Sequence, residues 1–134
     1  MRQCRGKRKD NGKWAYGWYF EDPHYKGVPN NRHSFIVDKP VVDIEDNVLY
    51  GFVEVIPETV GQSIGLKDEA GVDIYVGDIL KYAGYWPEIG LVQYEKAAYV
   101  IRWADMCSTG PVGGDGKVIG NRSDNPELLE VKNE

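Results

Sequence analysis

The chain has 134 residues, enough for one domain with a real core and too few for two comfortable ones. Its 16 basic and 21 acidic residues leave a net charge of −5, which argues against a general binder of duplex DNA. Apolar residues make up 42%, which excludes wholesale disorder, and no apolar run approaches the length of a membrane span. Nine Tyr, four Trp, three Phe and 16 Gly favour strands joined by tight turns over helices. The basic start, residues 1–14, has no apolar segment behind it and does not read as a signal peptide. Without export, Cys4 and Cys107 are expected as reduced thiols, with a Cys4–Cys107 disulfide as the alternative.

In chain order, residues 3–9 run into Asp10-Asn11-Gly12, a strong reversal signal. The return segment, Lys13 to Phe20, alternates with period two. Trp14, Tyr16, Trp18 and Phe20 share one face; Lys13, Ala15, Gly17 and Tyr19 share the other. The aromatic face is expected to be core, since aromatic rings supply much of a small β-protein's buried area, and Tyr19 to be exposed. Glu21 to Arg32 reads as a loop and His33 to Val37 as a short strand. Between Lys39 and Tyr50, Val41-Val42 and Ile44 suit extended backbone, while Pro40 argues for an edge or a linker. Gly51 to Ile56 alternates again, with Phe52 and Glu54 opposite Val53 and Val55.

The densest run of turn and strand signals lies between Pro57 and Lys81. Ile64 and Leu66 alternate with Gly65 and Lys67; Val72, Ile74 and Val76 alternate with Asp73 and Tyr75. Asp68-Glu69-Ala70-Gly71 between them has the chemistry of a tight reversal, so the whole predicts a hairpin. Gly77-Asp78 then breaks the pattern before Ile79 to Tyr82 resume it, as at a bulge or a barrel corner. Gly90 to Glu95 and Ala98 to Trp103 predict a second hairpin around Lys96-Ala97. Ser108 to Gly116 reads as a mobile glycine-rich loop and Lys117 to Gly120 as a last short strand. Asn125-Pro126-Glu127-Leu128-Leu129 reads as the start of a short helix, with an Asn cap, Pro in the first turn and an early Glu.

Candidate chemistry is thin. Cys4, Cys107, His24 and His33 include no pair at metal-ligand spacing, so no metal and no cofactor is expected. Gly110 to Gly116 lacks the Lys-Ser/Thr pair of a phosphate loop. Glu54, Glu58 and Asp78 are carboxylates near the central segment, but a turn role suits Asp78, after Gly77, better than acid–base work. Thr59 has no identifiable base beside it. Glu58, Thr59 and Gln62 remain polar without an assigned structural job, and form a candidate polar site. Arg2, Arg5, Lys7, Arg8, Lys9 and Lys13 gather in the first hairpin beside Trp14, Tyr16, Trp18 and Tyr19. Basic groups beside aromatic rings on a sheet suit single-stranded nucleic acid, with Arg5, Lys7, Arg8, Lys9 and Tyr19 as the contacts.

Three blocks carry a resemblance. They are Arg5-Gly6-Lys7-Arg8 through Asp10-Asn11-Gly12 to Trp14-Ala15-Tyr16-Gly17; Ile56-Pro57-Glu58-Thr59-Val60-Gly61-Gln62 through Gly65-Leu66-Lys67-Asp68 to Ile74-Tyr75-Val76-Gly77-Asp78-Ile79; and Val118-Ile119-Gly120-Asn121 with Asn125-Pro126-Glu127-Leu128-Leu129. Together they resemble the YopX family, phage and prophage proteins whose biochemical role is not established. The blocks span nearly the full length, whereas 21–50 and 82–116 fit less well. The resemblance implies a mainly β protein, encoded by a phage or prophage and acting in the bacterial cytoplasm, and it brings no catalytic residues.

The expected fold is a single mainly β domain over 1–134: strongly bent antiparallel sheets, an N-terminal hairpin region of about 1–50, a small barrel in the C-terminal half from about 51, and a short C-terminal helix. The expected function is non-enzymatic binding to a host or phage protein, with an edge strand near Pro40 or Lys81 pairing with another chain, either a second copy or a host protein. Nucleic-acid binding through the first hairpin is the alternative. An enzyme of unknown class is a third reading without a positive motif.

Overall fold

The computed structural model describes residues 3–42, 48–84, 88–104 and 108–130, with the side chains of 38–50 left out. The named strands pair antiparallel in two sheets. The chain divides into two compact units, Met1–Gln62 and Ser63–Glu134, each with its own apolar cluster.

The first unit holds β1 (Cys4–Lys7), β2 (Trp14–Asp22), β3 (His33–Val42), β4 (Val48–Val55) and the start of β5 (Gly61–Lys67), in the order β4-β3-β2-β1-β5. The predicted reversal joins β1 to β2: Gly12, at φ +71°, donates to the Arg8 carbonyl at 2.9 Å. β2 pairs with β1 over Trp14 to Gly17 and with β3 over Trp18 to Asp22. The far end of β4 is then tied back to β1. Arg8 and Val55 form a bridge, Lys9 N–H donates to the Glu54 carbonyl at 3.0 Å, and Ile56 N–H donates to the Lys7 carbonyl at 2.8 Å.

A sheet curled this tightly has a cramped inner face. Ala15, Ile36 and Val55 fill it, with Cys4, Tyr19, Val53 and Val60 packed around them. A Cβ on Gly6 would lie 3.1 Å from the Val55 Cβ. The centre of the inner face takes small and β-branched side chains, with the Tyr19 ring at the margin, so the expected orientation of β2 is reversed. Ala15 and Gly17 are buried, Tyr19 packs on the core, and Tyr16, Trp18 and Phe20 are exposed. β4 follows its predicted alternation, with Val53 and Val55 inward. β3 runs on through Pro40 in a ribbon with β4, where β2 no longer pairs with it. Ile44 lies outside the described residues.

In the second unit β5 forms the predicted hairpin with β6 (Asp73–Tyr75), closed by Gly71 at φ +84°. A register shift and Gly65 at φ +80° break the alternation within β5, so Ile64 is buried while Leu66 is exposed. Gly77 bends the chain at φ +97° into β7 (Asp78–Lys81). A meander of β8 (Ile89–Glu95), β9 (Ala98–Trp103) and β10 (Thr109–Pro111) follows, and β11 (Lys117–Asn121) returns beside β7. Ile64, Ile74, Leu80, Tyr82, Val92 and Ile101 form the core.

Three expectations are corrected here. The order β10-β9-β8-β7-β11 is not closed by any β10–β11 pairing among the described residues, so the expected barrel is an open sheet. The C-terminal helix is one 3-10 turn, Pro126–Leu129; the Asn125 side chain makes no cap and instead accepts Asn121 N–H at 3.3 Å. The glycine-rich loop is pinned: the Tyr82 hydroxyl donates to the Gly113 carbonyl at 3.0 Å and accepts Gly113 N–H at 3.1 Å. A Cβ on Gly116 would meet the Tyr82 ring at 2.6 Å, so only glycine allows the chain to lie against that ring.

Lys96 (φ +49°) and Ala97 (φ +64°) form the predicted β8–β9 turn in left-handed backbone, which twists with the hairpin but strains a residue carrying a Cβ. Ala97→Gly relieves that strain, so its denaturant midpoint should rise, by about 1 kcal/mol of stability. An unchanged or lower midpoint contradicts the strain.

Candidate functional site

Strand register places one set of side chains on the outer face of the curled sheet. β2 contributes Trp14, Tyr16, Trp18 and Phe20; β3 contributes Phe35 and Val37; β4 contributes Phe52 and Glu54; β1 contributes Arg5 and Lys7. Phe20 stacks on the buried Phe35 at 5.1 Å between centroids, and Phe52 stands edge-on to both. Tyr25 packs beside Phe35, with its ring 4.1 Å from His33. Tyr16, Trp18, Phe20 and Phe52 are 44%, 50%, 39% and 57% exposed. With rings of this size that is on the order of 400 Å² of aromatic surface, the scale of a functional patch. Phe52 and Phe35 join this surface although the alternation of β2 alone does not mark them. The available signal was the run of small residues opposite, Gly6, Ala15 and Gly17, which marks the inner face of a tight sheet.

Each described residue among the expected nucleic-acid contacts has a partner within the chain. Arg5 is buried with its guanidinium 4.6 Å from the Trp14 ring, and Lys7 Nζ lies 5.6 Å from the same ring. Arg8 makes a two-pronged pair with Asp10, at 3.0 and 2.8 Å. Lys9 Nζ sits 2.8 Å from Glu54. Tyr19 donates to Glu21, which also holds Arg32 at 2.6 Å. Arg2 lies outside the described residues.

The candidate polar site separates. The Thr59 hydroxyl accepts Lys7 N–H at 2.8 Å and donates to the Ile56 carbonyl at 2.6 Å, pinning a 3-10 turn, Pro57–Thr59, to β1. Glu58 is exposed on that turn, and Gln62 is exposed in β5 opposite Cys4. Thr59→Val keeps the shape and removes the acceptor, so urea unfolding should show a loss of about 1–2 kcal/mol, while Glu58→Ala stays near neutral. Equal stability of Thr59→Val and the parent would remove this role.

The remaining chemical candidates resolve into structural parts. Glu54 accepts from both Lys9 and His33, the latter at 2.5 Å; burial, which raises its carboxyl, is outweighed by these partners, and the net direction is downward. Asn31 Oδ1 faces the other nitrogen of His33 at 3.0 Å. His24 is exposed, with its backbone N–H on Asp22. Asp78 is fully buried and accepts Tyr75 N–H at 2.8 Å, closing the bend at Gly77. Burial pushes the Cys4 thiol up, against a weaker opposing hydrogen bond from Tyr19, which makes it a poor nucleophile. Cys107 lies outside the described residues, among which no three His, Cys, Asp or Glu side chains gather to hold a metal.

Asp68 is the carboxylate with the most structural work. It accepts Ala70 and Val72 N–H through Oδ1 at 2.9 and 2.8 Å, and Val118 N–H through Oδ2 at 3.0 Å. The Val118 and Val72 hydrogen bonds, ahead of burial and helped by Ala70 and the Lys117 charge, hold its carboxyl below the ordinary aspartate value. A carboxyl lowered by folding contributes stability that is complete above its unfolded pKa, about 3.9, and is lost as pH falls through the folded value. The unfolding temperature should therefore fall as pH drops below about 4. Asp68→Asn should be less stable at neutral pH with a shallower acid limb; an acid limb identical to the parent's contradicts the assignment.

What fold and site define together is a mainly β protein of two antiparallel sheets with an aromatic outer surface. The chain belongs to the YopX family: the model of the YopX protein family matches residues 4–130. The fold is also that of protein EF1440 from Enterococcus faecalis, whose crystal structure matches 97% of this chain and 99% of its own at 20% identity and a TM-score of 0.63. No curated protein sequence matches the chain. Among the described residues no helix is long and apolar enough to cross a membrane.

Proposed function

We propose that this chain is a non-enzymatic binding module of phage or prophage origin that contacts a host or phage protein in the bacterial cytoplasm through the outer face of its first unit. The observation that carries the proposal is the exposure of Tyr16, Trp18, Phe20 and Phe52 on one sheet face. Trp and Tyr are the residues that anchor protein interfaces, because they bury large rigid surface at low entropic cost. Polyanions are disfavoured as partners by the internal pairing of Arg8, Lys9 and Arg32 with Asp10, Glu54 and Glu21.

Trp18→Ser and Tyr16→Ser test this. Both positions are solvent-facing, so the circular dichroism spectrum and melting point should stay close to the parent's. Retention of a host or phage protein on the immobilised chain should fall at least tenfold in each variant, the scale of an interface hot spot. Unchanged retention overturns the proposal. So does a salt-sensitive shift with single-stranded DNA or RNA that is lost in both variants, which transfers the face to nucleic acid.

A further inference from the structure

The second unit holds a cleft of about 240 Å³ beside β10, lined by Tyr82, Trp103, Gly110, Pro111, Gly113 and Asp115. Its aromatic wall is Trp103, partly buried in β9, with the buried Tyr82 edge-on to it at 5.4 Å. The indole lies between glycines of two other strands. A Cβ on Gly90 of β8 would come within 3.2 Å of its Cε3, and one on Gly110 of β10 within 3.5 Å of its Nε1. The loop that completes the lining is held in place, since the Tyr82 hydroxyl bonds both backbone groups of Gly113.

Gly110 is the residue that folding alone does not account for. At Gly90, Gly113 and Gly116 a Cβ would meet Ile101 at 2.7 Å, Asp115 at 2.8 Å and the Tyr82 ring at 2.6 Å, so packing demands glycine there. Gly110 has strand backbone outside the left-handed region, and the contact its Cβ would make is an ordinary van der Waals one. Glycine within a strand costs stability, and it marks places where another group must approach the backbone. What glycine does at this position is keep the space beside the Trp103 indole open.

The chemistry of the lining selects the occupant. Among its side chains the Tyr82 hydroxyl is committed to Gly113, and Pro111 is apolar. The indole of Trp103 and the carboxylate of Asp115 remain. Asp115 is exposed, and its Oδ1 fills the room that Gly113 leaves. A carboxylate has about four acceptor positions, so the contacts Asp115 makes within the chain leave its charge in force. An aromatic wall beside a carboxylate attracts a cation, and a flat guanidinium both stacks on an indole and meets a carboxylate with parallel N–H bonds. The volume lies below the roughly 300 Å³ of ordinary small-molecule sites, which suits one head group better than a whole metabolite. We infer that this cleft binds a guanidinium head group, stacked on Trp103 and paired with Asp115. The cleft belongs wholly to the second unit, and the inference stands without the aromatic face proposed above.

Titration of the full chain with methylguanidinium chloride, read from the indole N–H resonances, tests it; a Trp103→Phe spectrum assigns the Trp103 signal. That signal should move and saturate, with half-saturation near about 1 mM. Methylurea, the neutral planar isostere, should leave it in place. Asp115→Asn keeps the shape, removes the charge and should weaken binding at least fivefold at an unchanged melting temperature. Gly110→Ala should keep or raise the melting temperature and weaken binding at least threefold; Asp115→Asn carries the test if Gly110→Ala harms the fold. Tighter binding of N-acetylarginine amide than of methylguanidinium assigns the head group to a peptide side chain, and binding no tighter assigns it to a small ion. No saturation by about 10 mM, an equal response to methylurea, or undiminished binding in either folded variant overturns the inference. So does movement of the Trp14 or Trp18 signal with Trp103 unmoved, which places the ion on the first unit.

Discussion

The approach of Gly6 to Val55 is the constraint on which the first unit depends. With 3.1 Å between Val55 and the position a Cβ would take, the backbone of β1 lies almost against the side chain of β4. That closeness lets the Arg8↔Val55 bridge form and pulls β4 back to β1. Once the sheet is curled to that radius, the centre of its inner face takes Ala15 and β-branched residues, and Tyr16, Trp18, Phe20 and Phe52 face outward. The aromatic surface is thus a product of curvature. Thr59 belongs to the same device, since its hydroxyl locks the following turn onto Lys7 of β1.

The second unit solves a different problem with similar means. Its sheet is open, so its turns are held by side chains of distant strands. Asp68, in the β5–β6 turn, accepts the amide of Val118 in β11, fifty residues on. Tyr82, after β7, grips Gly113 through both its backbone groups while Gly116 lies on its ring. Buried hydrogen bonds of this kind fix geometry as well as adding stability, because a lost partner leaves an unsatisfied group behind. Glycines in this loop therefore reflect close packing, although composition alone suggests mobility.

Local chemistry was legible in the sequence. The turns at Gly12, Gly71, Gly77 and Lys96-Ala97 all depend on positive φ or on a side chain acting within a few residues, and they occur where their residues announce them. The alternation of β2 was equally legible, but which face is buried was not. Period two is symmetric, and the choice depends on how far the sheet curls, a property of β1, β2 and β4 together. Gly6, Ala15 and Gly17 carried that information, and ring size outweighed it. The barrel and the short helix failed for related reasons. Closure depends on whether β10 meets β11, and Asn125 is drawn to the Asn121 amide instead of capping its own turn. The partners of the first hairpin's charges were less legible: Asp10 pairs with Arg8 nearby, but Glu54, which pairs with Lys9, is remote in sequence.

Outward rings carry an energetic consequence. At about 25 cal/mol per Å², roughly 400 Å² of exposed aromatic surface leaves about 10 kcal/mol of hydrophobic free energy unused, as an upper bound. That is comparable with the whole stability of an ordinary domain. Curvature explains why the centre of the inner face holds small and β-branched residues; it does not explain why the outward positions hold Trp and Tyr, where Thr, Lys or Ser would suit a strand facing water. Burial of these positions by another molecule recovers the unused free energy. The outward rings cost an isolated chain something, and that cost is offset in a complex.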